Sequence, residues 1–308
     1  MVLKIILITH LFGNHGVNNK YIMKVLFNYA NLKFYNSQKL NSETGLSIGG
    51  FDKVFEFKKE DIDHEFYQKN KNILDQPRGA GYWLWKFHFA MRLLNDDSIP
   101  EDSYIFYADS GSKFIGSIDE LINVFERDNL SVMTFRQNHL SYVWTKRDAF
   151  ILTGTDSPEY THTGARVGGW FLLKKNDFSR EFMGKCHDYG CDHRIISDSP
   201  NELGVPNYDG FIENRHDETI ITLVSKKYGL FPYRNPSQWG FIGDINFTDN
   251  MYGEEATKRM VEKFGELSTW GNKYGNYFHG ESLNQYPHFE FDDKSTYPTI
   301  MDLHKSPA

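Results

Sequence analysis

Short apolar runs alternate with helix-length segments along most of this chain, and that alternation limits the folds open to it. Residues 3–9, LKIILIT, are apolar without a polar face, and Gly13-Asn14 close them as a turn. Such a run reads as a parallel strand covered on both sides. Residues 2–12 are too few to span a bilayer, are interrupted by Lys4, Thr9 and His10, and carry no small-residue cleavage site, so neither a membrane span nor a signal peptide is expected. Asn18 or Asn19 then caps a helix with Tyr21, Ile22, Val25, Leu26 and Tyr29 on one face. Residues 32–36 and 53–57 read as short strands, 61–74 as a polar helix and 81–95 as a strongly aromatic one. Residues 103–111, SYIFYADSG, form a strand that ends in a carboxylate and a glycine. A helix over 117–127 opens with a Ser117/Glu120 capping box. Strands at 131–135 and 168–175, helices at 176–189 and 214–228, and a closing LFPYR complete the pattern. The expected fold is an α/β/α sandwich with a mostly parallel central sheet. Length alone admits two domains. The reading is nevertheless one domain over 1–308, because residues 235–308 are rich in Tyr, Asn, Gly and His with weak periodicity and read as an irregular extension packed on it.

Charge and cysteine content exclude some functions. The 34 Lys and Arg against 41 Asp and Glu give a net charge of −7. No broad basic face is available to displace phosphate counterions, so nucleic acid is not an expected partner. Two cysteines make no disulfide scaffold and suit a reducing, cytoplasmic compartment. Aromatic residues are 16% of the chain, more than a core alone demands, and suit stacking on sugars or bases.

Three segments carry candidate chemistry. In open α/β sheets, ligands bind at the carboxyl ends of strands. Tyr107-Ala108-Asp109-Ser110-Gly111 is such an end: Asp109 would leave the sheet at its rim, Gly111 would allow a ligand close, and a carboxylate there can hold a cation bridging two phosphates. A strand-ending Asp in a tight turn is also common without any function. The second segment, Arg78-Gly79-Ala80-Gly81-Tyr82-Trp83-Leu84-Trp85-Lys86, opens a helix with two cations, two glycines and three aromatics. A helix start favours phosphate, and two glycines weaken a helix start that has no other use. The third, Glu213-Asn214-Arg215-His216-Asp217-Glu218-Thr219, places adjacent carboxylates at a helix start, where the dipole alone favours them and where one could serve as a general base. Cys186, His187, Cys191 and His193 fit no common closed zinc site and read as a helix end with buried thiols. His279 and His288 are single histidines in the irregular tail, although a tail folding over a site could deliver one as a ligand.

In this order, RGAGYWLWK, YADSG, WTKRD, GGWFLLKKND and RHDET resemble a family of glycosyltransferases found in bacterial polysaccharide loci and large DNA viruses. The motifs span residues 78–228, about half the chain. The resemblance implies a GT-A-like, Rossmann-type domain that binds a nucleotide-sugar, and a cytoplasmic location, host cytoplasm for a viral chain. In GT-A enzymes an Asp-x-Asp motif holds Mn²⁺ or Mg²⁺ on the donor diphosphate. Asp109 takes the first place, and Gly111 stands where the second Asp would be; apart from the resemblance, His279 is the tail histidine that a fold-back would add as a ligand. Asp109 therefore either binds the cation with help or works without one. By the same resemblance Thr9 and His10 face the base, Arg78 and Lys86 lie near the diphosphate, Trp170 stacks on a sugar, and Asp217 is the base of an inverting transfer. The expected partners are a UDP-sugar donor and a glycan hydroxyl. One rival is a carbohydrate-binding module without turnover, which Gly111 favours. Another is a nucleotidyltransferase, which would need paired metal carboxylates that are not seen around Asp109.

Overall fold

The computed structural model describes residues 21–237, 240 and 294–303. Its centre is a seven-stranded sheet in the order β2-β1-β3-β7-β5-β6, with β8 paired to β5. The strands are β1 Lys24–Tyr29, β2 Lys53–Phe57, β3 Tyr104–Ala108, β5 Val132–Leu140, β6 Gly164–Arg166, β7 Trp170–Lys174 and β8 Pro232–Tyr233. β2, β1, β3, β5 and β8 share one direction, and β7 and β6 run against it. A small second sheet pairs β4, Ser112–Phe114, with β9, Met301–Leu303. Among the described residues no helix is long and apolar enough to cross a membrane.

The period of two along each strand divides the core into two layers. On one face Phe27, Tyr107 and Phe171 pack with Phe87, Phe89 and Leu93 of the aromatic helix Leu84–Leu94, and with Ile220 and Leu223 of the helix Asp217–Lys227. On the other, Leu26, Phe106 and Leu172 pack with Leu121 and Phe125 of the helix Asp119–Arg127. Burial on both faces is the physical content of the α/β/α expectation, and the sheet meets it.

The beginning of the chain departs from the expected pattern. The spacing of Tyr21, Ile22, Val25, Leu26 and Tyr29 fits one face of a helix, yet 24–29 is strand β1, with Val25, Leu26 and Phe27 wholly buried. Residues 32–36 are not a strand: a 3₁₀ turn, Leu32–Phe34, leads into the helix Tyr35–Thr44. That helix turns polar residues inward. Asn41 and Ser42 accept from the Asn28 amide at 2.8 and 3.1 Å, Gln38 donates to Asn28 at 3.0 Å, and Asn41 donates to the Ser112 carbonyl at 2.9 Å. A buried face built from hydrogen bonds leaves no hydrophobic period to read. The polar helix over 61–74 is two short pieces, His64–Lys69 and Lys71–Leu74. The Ser117/Glu120 capping box is not formed: Ser117 Oγ accepts from the Asp119 amide at 3.1 Å, and the helix starts at Asp119. The expected first strand, Thr9 and His10, and the tail histidines His279 and His288 lie outside the described residues.

Candidate functional site

Asp109 stands where β3 ends, on the rim formed by the carboxyl ends of β1 and β3. Its amide donates to the Gly169 carbonyl at 2.8 Å, and the Ser112 amide donates back to the Asp109 carbonyl at 3.0 Å, closing the tight turn that contains Gly111. Ser110 Oγ donates to the Tyr29 carbonyl and ties this turn to the end of β1. The Tyr107 hydroxyl donates to Asp109 Oδ1, and the Asp109 side chain remains 39% exposed.

The segment before the aromatic helix is a left-handed turn. Gly79, Ala80, Gly81, Tyr82 and Trp83 all have positive φ, at 60°, 51°, 103°, 51° and 61°. Three of these residues carry a Cβ, and each pays the clash that makes left-handed helix rare. The glycines are required by space as well as by φ. A Cβ on Gly79 would lie 2.2 Å from the Trp83 ring, and one on Gly81 would lie 2.7 Å from Leu74 Cα. Trp85 Nε1 donates to the Gly79 carbonyl at 2.9 Å and pins the turn to the helix that follows. The turn delivers Arg78 to Glu213 at 3.0 Å and Asp198 at 3.5 Å.

The third segment meets the other two at its helix start. His216 has φ 54° and ψ −110°, an unusual conformation just before the helix. Its ring stacks on Tyr82 at 4.9 Å between centroids, and Nε2 lies 3.0 Å from Asp198 Oδ1. Burial, aided by the charge of Arg78, pushes the imidazole down to about 4, so it is neutral at physiological pH. Asp217 follows, with its side chain 8% exposed. Burial pushes its carboxyl up to about 7, against the pull of Lys86. Burial also acts to raise Glu218, but the hydrogen bond and charge of His139, 3.1 Å away, bring its carboxyl below the usual range. Gln137 Nε2 adds a contact to Glu218 at 3.4 Å.

Gly168 and Gly169 let these groups converge. A Cβ on Gly168 would sit 2.9 Å from Asp217 Oδ2 and 3.1 Å from Glu218 Cβ, and a Cβ on Gly169 would sit 3.2 Å from Asp109 Oδ2. The Asp217 carboxylate and the base of the Glu218 side chain thus both pack against one glycine.

Lys86, Asp109 and Asp217 therefore belong to one cluster, with Arg78 beside it on Glu213 and Asp198, but two expected roles change. Lys86 is only 1% exposed, and its ammonium binds Asp217, donates to the Gly168 carbonyl at 2.7 Å and lies 3.7 Å from Asp109. An ammonium enclosed in this way has no surface to offer a diphosphate. Trp170 is 3% exposed among Leu172, Phe106 and Phe135 in the second core layer, so no face of its ring is open to a sugar. Sequence reasoning missed Asp198, His139 and Gln137. His139 and Gln137 lie on the far half of β5, where the run Arg136-Gln137-Asn138-His139 hides a strand of polar residues. No motif marks Asp198.

Among the described residues no three His, Cys, Asp or Glu side chains gather to hold a metal ion. Cys186 is buried in the helix Asp177–Gly190 and its thiol is pushed well up by burial, while His193 is engaged by Glu202 at 2.8 Å. Among the described residues Asp109 is the carboxylate placed to meet a divalent ion, and only one shared with ligand oxygens: it is half-exposed, and the missing Cβ of Gly169 leaves space beside Oδ2.

No protein-family model matches the sequence, and no curated protein is significantly similar to it. Among solved structures the chain is similar to mouse xyloside xylosyltransferase 1 in its apo form, with 10% identity over 92% of this chain and 98% of that one and a TM-score of 0.49. It is also similar to the apo structure of the bifunctional glycosyltransferase WbbM, with 10% identity over 68% of this chain and 38% of that one and a TM-score of 0.36. A third similar structure is the glycosyltransferase GlyE of Streptococcus pneumoniae TIGR4, with 12% identity over 91% of this chain and 58% of that one and a TM-score of 0.33.

Proposed function

We propose that this chain transfers a sugar from a nucleotide-sugar, a UDP-sugar by the motif resemblance, to a hydroxyl of a glycan acceptor. One observation carries the reading: Asp109, Gly168-Gly169 and Asp217, far apart in sequence and each from a different motif, meet at the carboxyl-end rim of an α/β sheet. Rims of this kind are where such sheets bind ligands. Asp109 is the group placed to meet the donor. If a divalent ion takes part, Asp109 would hold it, and the ion would offset charge on the leaving diphosphate.

Asp217 is assigned as the proton acceptor of a single-displacement, inverting transfer. A sugar hydroxyl attacks well only as its proton is taken, and a carboxyl poised near neutral pH is suited to take it. Lys86 already holds Oδ2, so the proton would have to go to the other carboxylate oxygen, Oδ1. The rival reading, a binding module without turnover, is favoured by Gly111 in place of a second carboxylate. The buried Lys86–Asp217 pair argues against it, because burying two charges is costly and simple binding does not need them there.

The test is a panel of nucleotide-sugars with oligosaccharide acceptors, with and without Mn²⁺, read by mass spectrometry and by NMR of the product anomer. Transfer with inversion is expected. Retention of the donor's configuration overturns the role of Asp217. Donor binding without transfer from any sugar hands the site to the rival.

A further inference from the structure

We propose that Lys86 is a positioning residue: its buried ammonium cross-links the rim carboxylate Asp109 to the helix-start carboxylate Asp217 and fixes their spacing without touching the donor. The consequence for turnover rests on the transferase reading above; the cross-link itself does not.

Four elements meet at this one nitrogen. Lys86 comes from the aromatic helix, Asp109 from the end of β3, Gly168 from just before β7, and Asp217 from the first turn of its helix. The ammonium binds Asp217, donates to the Gly168 carbonyl at 2.7 Å and lies 3.7 Å from Asp109 Oδ1. It also sits 4.5 Å from the centre of the Tyr107 ring, whose hydroxyl donates to the same Asp109 oxygen. An ammonium has three donors, and two are taken by Asp217 and the carbonyl while the third side meets Asp109 and the ring face. An apolar side chain of similar size would be cheaper to bury than this pair, so stability alone does not account for it. What the ammonium supplies that an apolar group cannot is a fixed distance between two anions that would otherwise repel. Asp217 is 8% exposed and Asp109 39%, so the cross-link runs from the narrow opening at the helix start to the open rim.

Three variants test this. In Lys86→Met the Asp217 carboxylate loses its cation, and melting should fall. In Lys86→Met/Asp217→Asn the uncompensated charge is gone, and the double variant should melt above the single one. Lys86→Arg keeps the charge but places a broader, planar head in the same space, so it should fold while shifting both carboxylates. A misplacement of about 1 Å in a reacting group costs ~10²-fold. Lys86→Arg should therefore lose about that much in kcat, while UDP affinity by calorimetry stays within roughly threefold. A fall in UDP affinity with kcat unchanged makes Lys86 a donor contact and overturns the proposal. Normal kcat in Lys86→Arg overturns it as well, leaving Lys86 a structural ion pair. Absence of recovery in the double variant overturns the cross-link whatever the activity. Recovery there, with no transfer by the wild-type protein from any nucleotide-sugar, sinks the transferase reading and leaves the cross-link standing.

Discussion

Gly81→Ala tests the left-handed turn that opens the aromatic helix. Gly81 has φ 103° and ψ 43°, and its added Cβ would lie 2.7 Å from Leu74 Cα and 3.2 Å from the Leu74 carbonyl oxygen. Forcing an L side chain into left-handed backbone costs about 1–2 kcal/mol. Pressing a methyl against backbone that cannot move adds about 1–3 kcal/mol. The stiffer unfolded chain returns about 0.4–1 kcal/mol. The net loss is about 1–4.5 kcal/mol, which in a chain of 308 residues lowers the melting temperature by about 2–7 °C. Ala80→Gly is the matched control. At φ 51° and ψ 47° the alanine already carries the left-handed penalty. Removing its Cβ relieves about 1–2 kcal/mol and adds about 0.5–1 kcal/mol of chain entropy, so melting should hold or rise by a degree or two. Scanning calorimetry of the two variants decides. If Gly81→Ala melts with the wild type, or Ala80→Gly falls as it would in an ordinary helix, the turn is not left-handed and the placing of Arg78 needs another account.

Asp109→Asn should keep the fold, since the side chain is half-exposed, and should lose most transfer together with any cation-dependent UDP binding; calorimetric titration with UDP and Mn²⁺ checks it. Trp170→Ala should lose about 3–5 kcal/mol, the usual cost of emptying a core aromatic site, with an unchanged KM in the protein that still folds; a raised KM at normal stability would restore the stacking role. His216 gives a pH dependence with a defined sign. Its folded value, about 4, lies below the ordinary 6.5, so as pH falls the unfolded chain takes the proton first. Stability is full above pH 6.5 and declines from there toward pH 4, by up to ~3 kcal/mol at about 1.36 kcal/mol per pH unit. Urea unfolding from pH 7.5 to 4.5 reads this slope, and His216→Asn, which tolerates positive φ, should flatten it; an equal slope in the variant assigns the acid loss to other groups.

The middle of the chain was legible because its strands announce themselves by composition. Residues 104–108 and 170–174 are nearly all apolar or aromatic, and both are core strands. The helix at 35–44 was not legible, because its inner face is Ser37, Gln38, Asn41 and Ser42, and hydrophobic periodicity cannot register a face held by hydrogen bonds. Strand β1 has the sequence spacing of a helix because a strand buried on both sides also places apolar residues three and four apart. At the site, the motifs point to Lys86, Asp109 and Asp217, which the fold gathers, and to Arg78, which pairs instead with Glu213 and Asp198, but a motif cannot separate an exposed cation from a buried one. Lys86 in sequence is only a lysine after Trp85; its role depends on partners 23 and 131 positions away along the chain. The purpose of the glycines in the second segment is conformational: they make room for a turn of the wrong hand.

That turn and the carboxylate cluster are not independent. Gly79 accepts from the Trp85 indole, and Lys86 follows Trp85 on the same helix. Lys86 binds Asp217, Asp217 follows His216, and the His216 ring stacks on Tyr82, which belongs to the strained turn. The contacts therefore close into a ring that passes once through left-handed backbone, once through a buried ion pair and once through a second strained residue. Each of the three is unfavourable taken singly. Strain at Tyr82 and Trp83 persists because the stacked imidazole and the indole hydrogen bond hold both ends of the turn. The positive φ of His216 persists in turn because Tyr82 and Asp198 fix its ring. Loosening the turn at Gly81 should then be felt at Asp217, in a part of the chain that the substitution never touches.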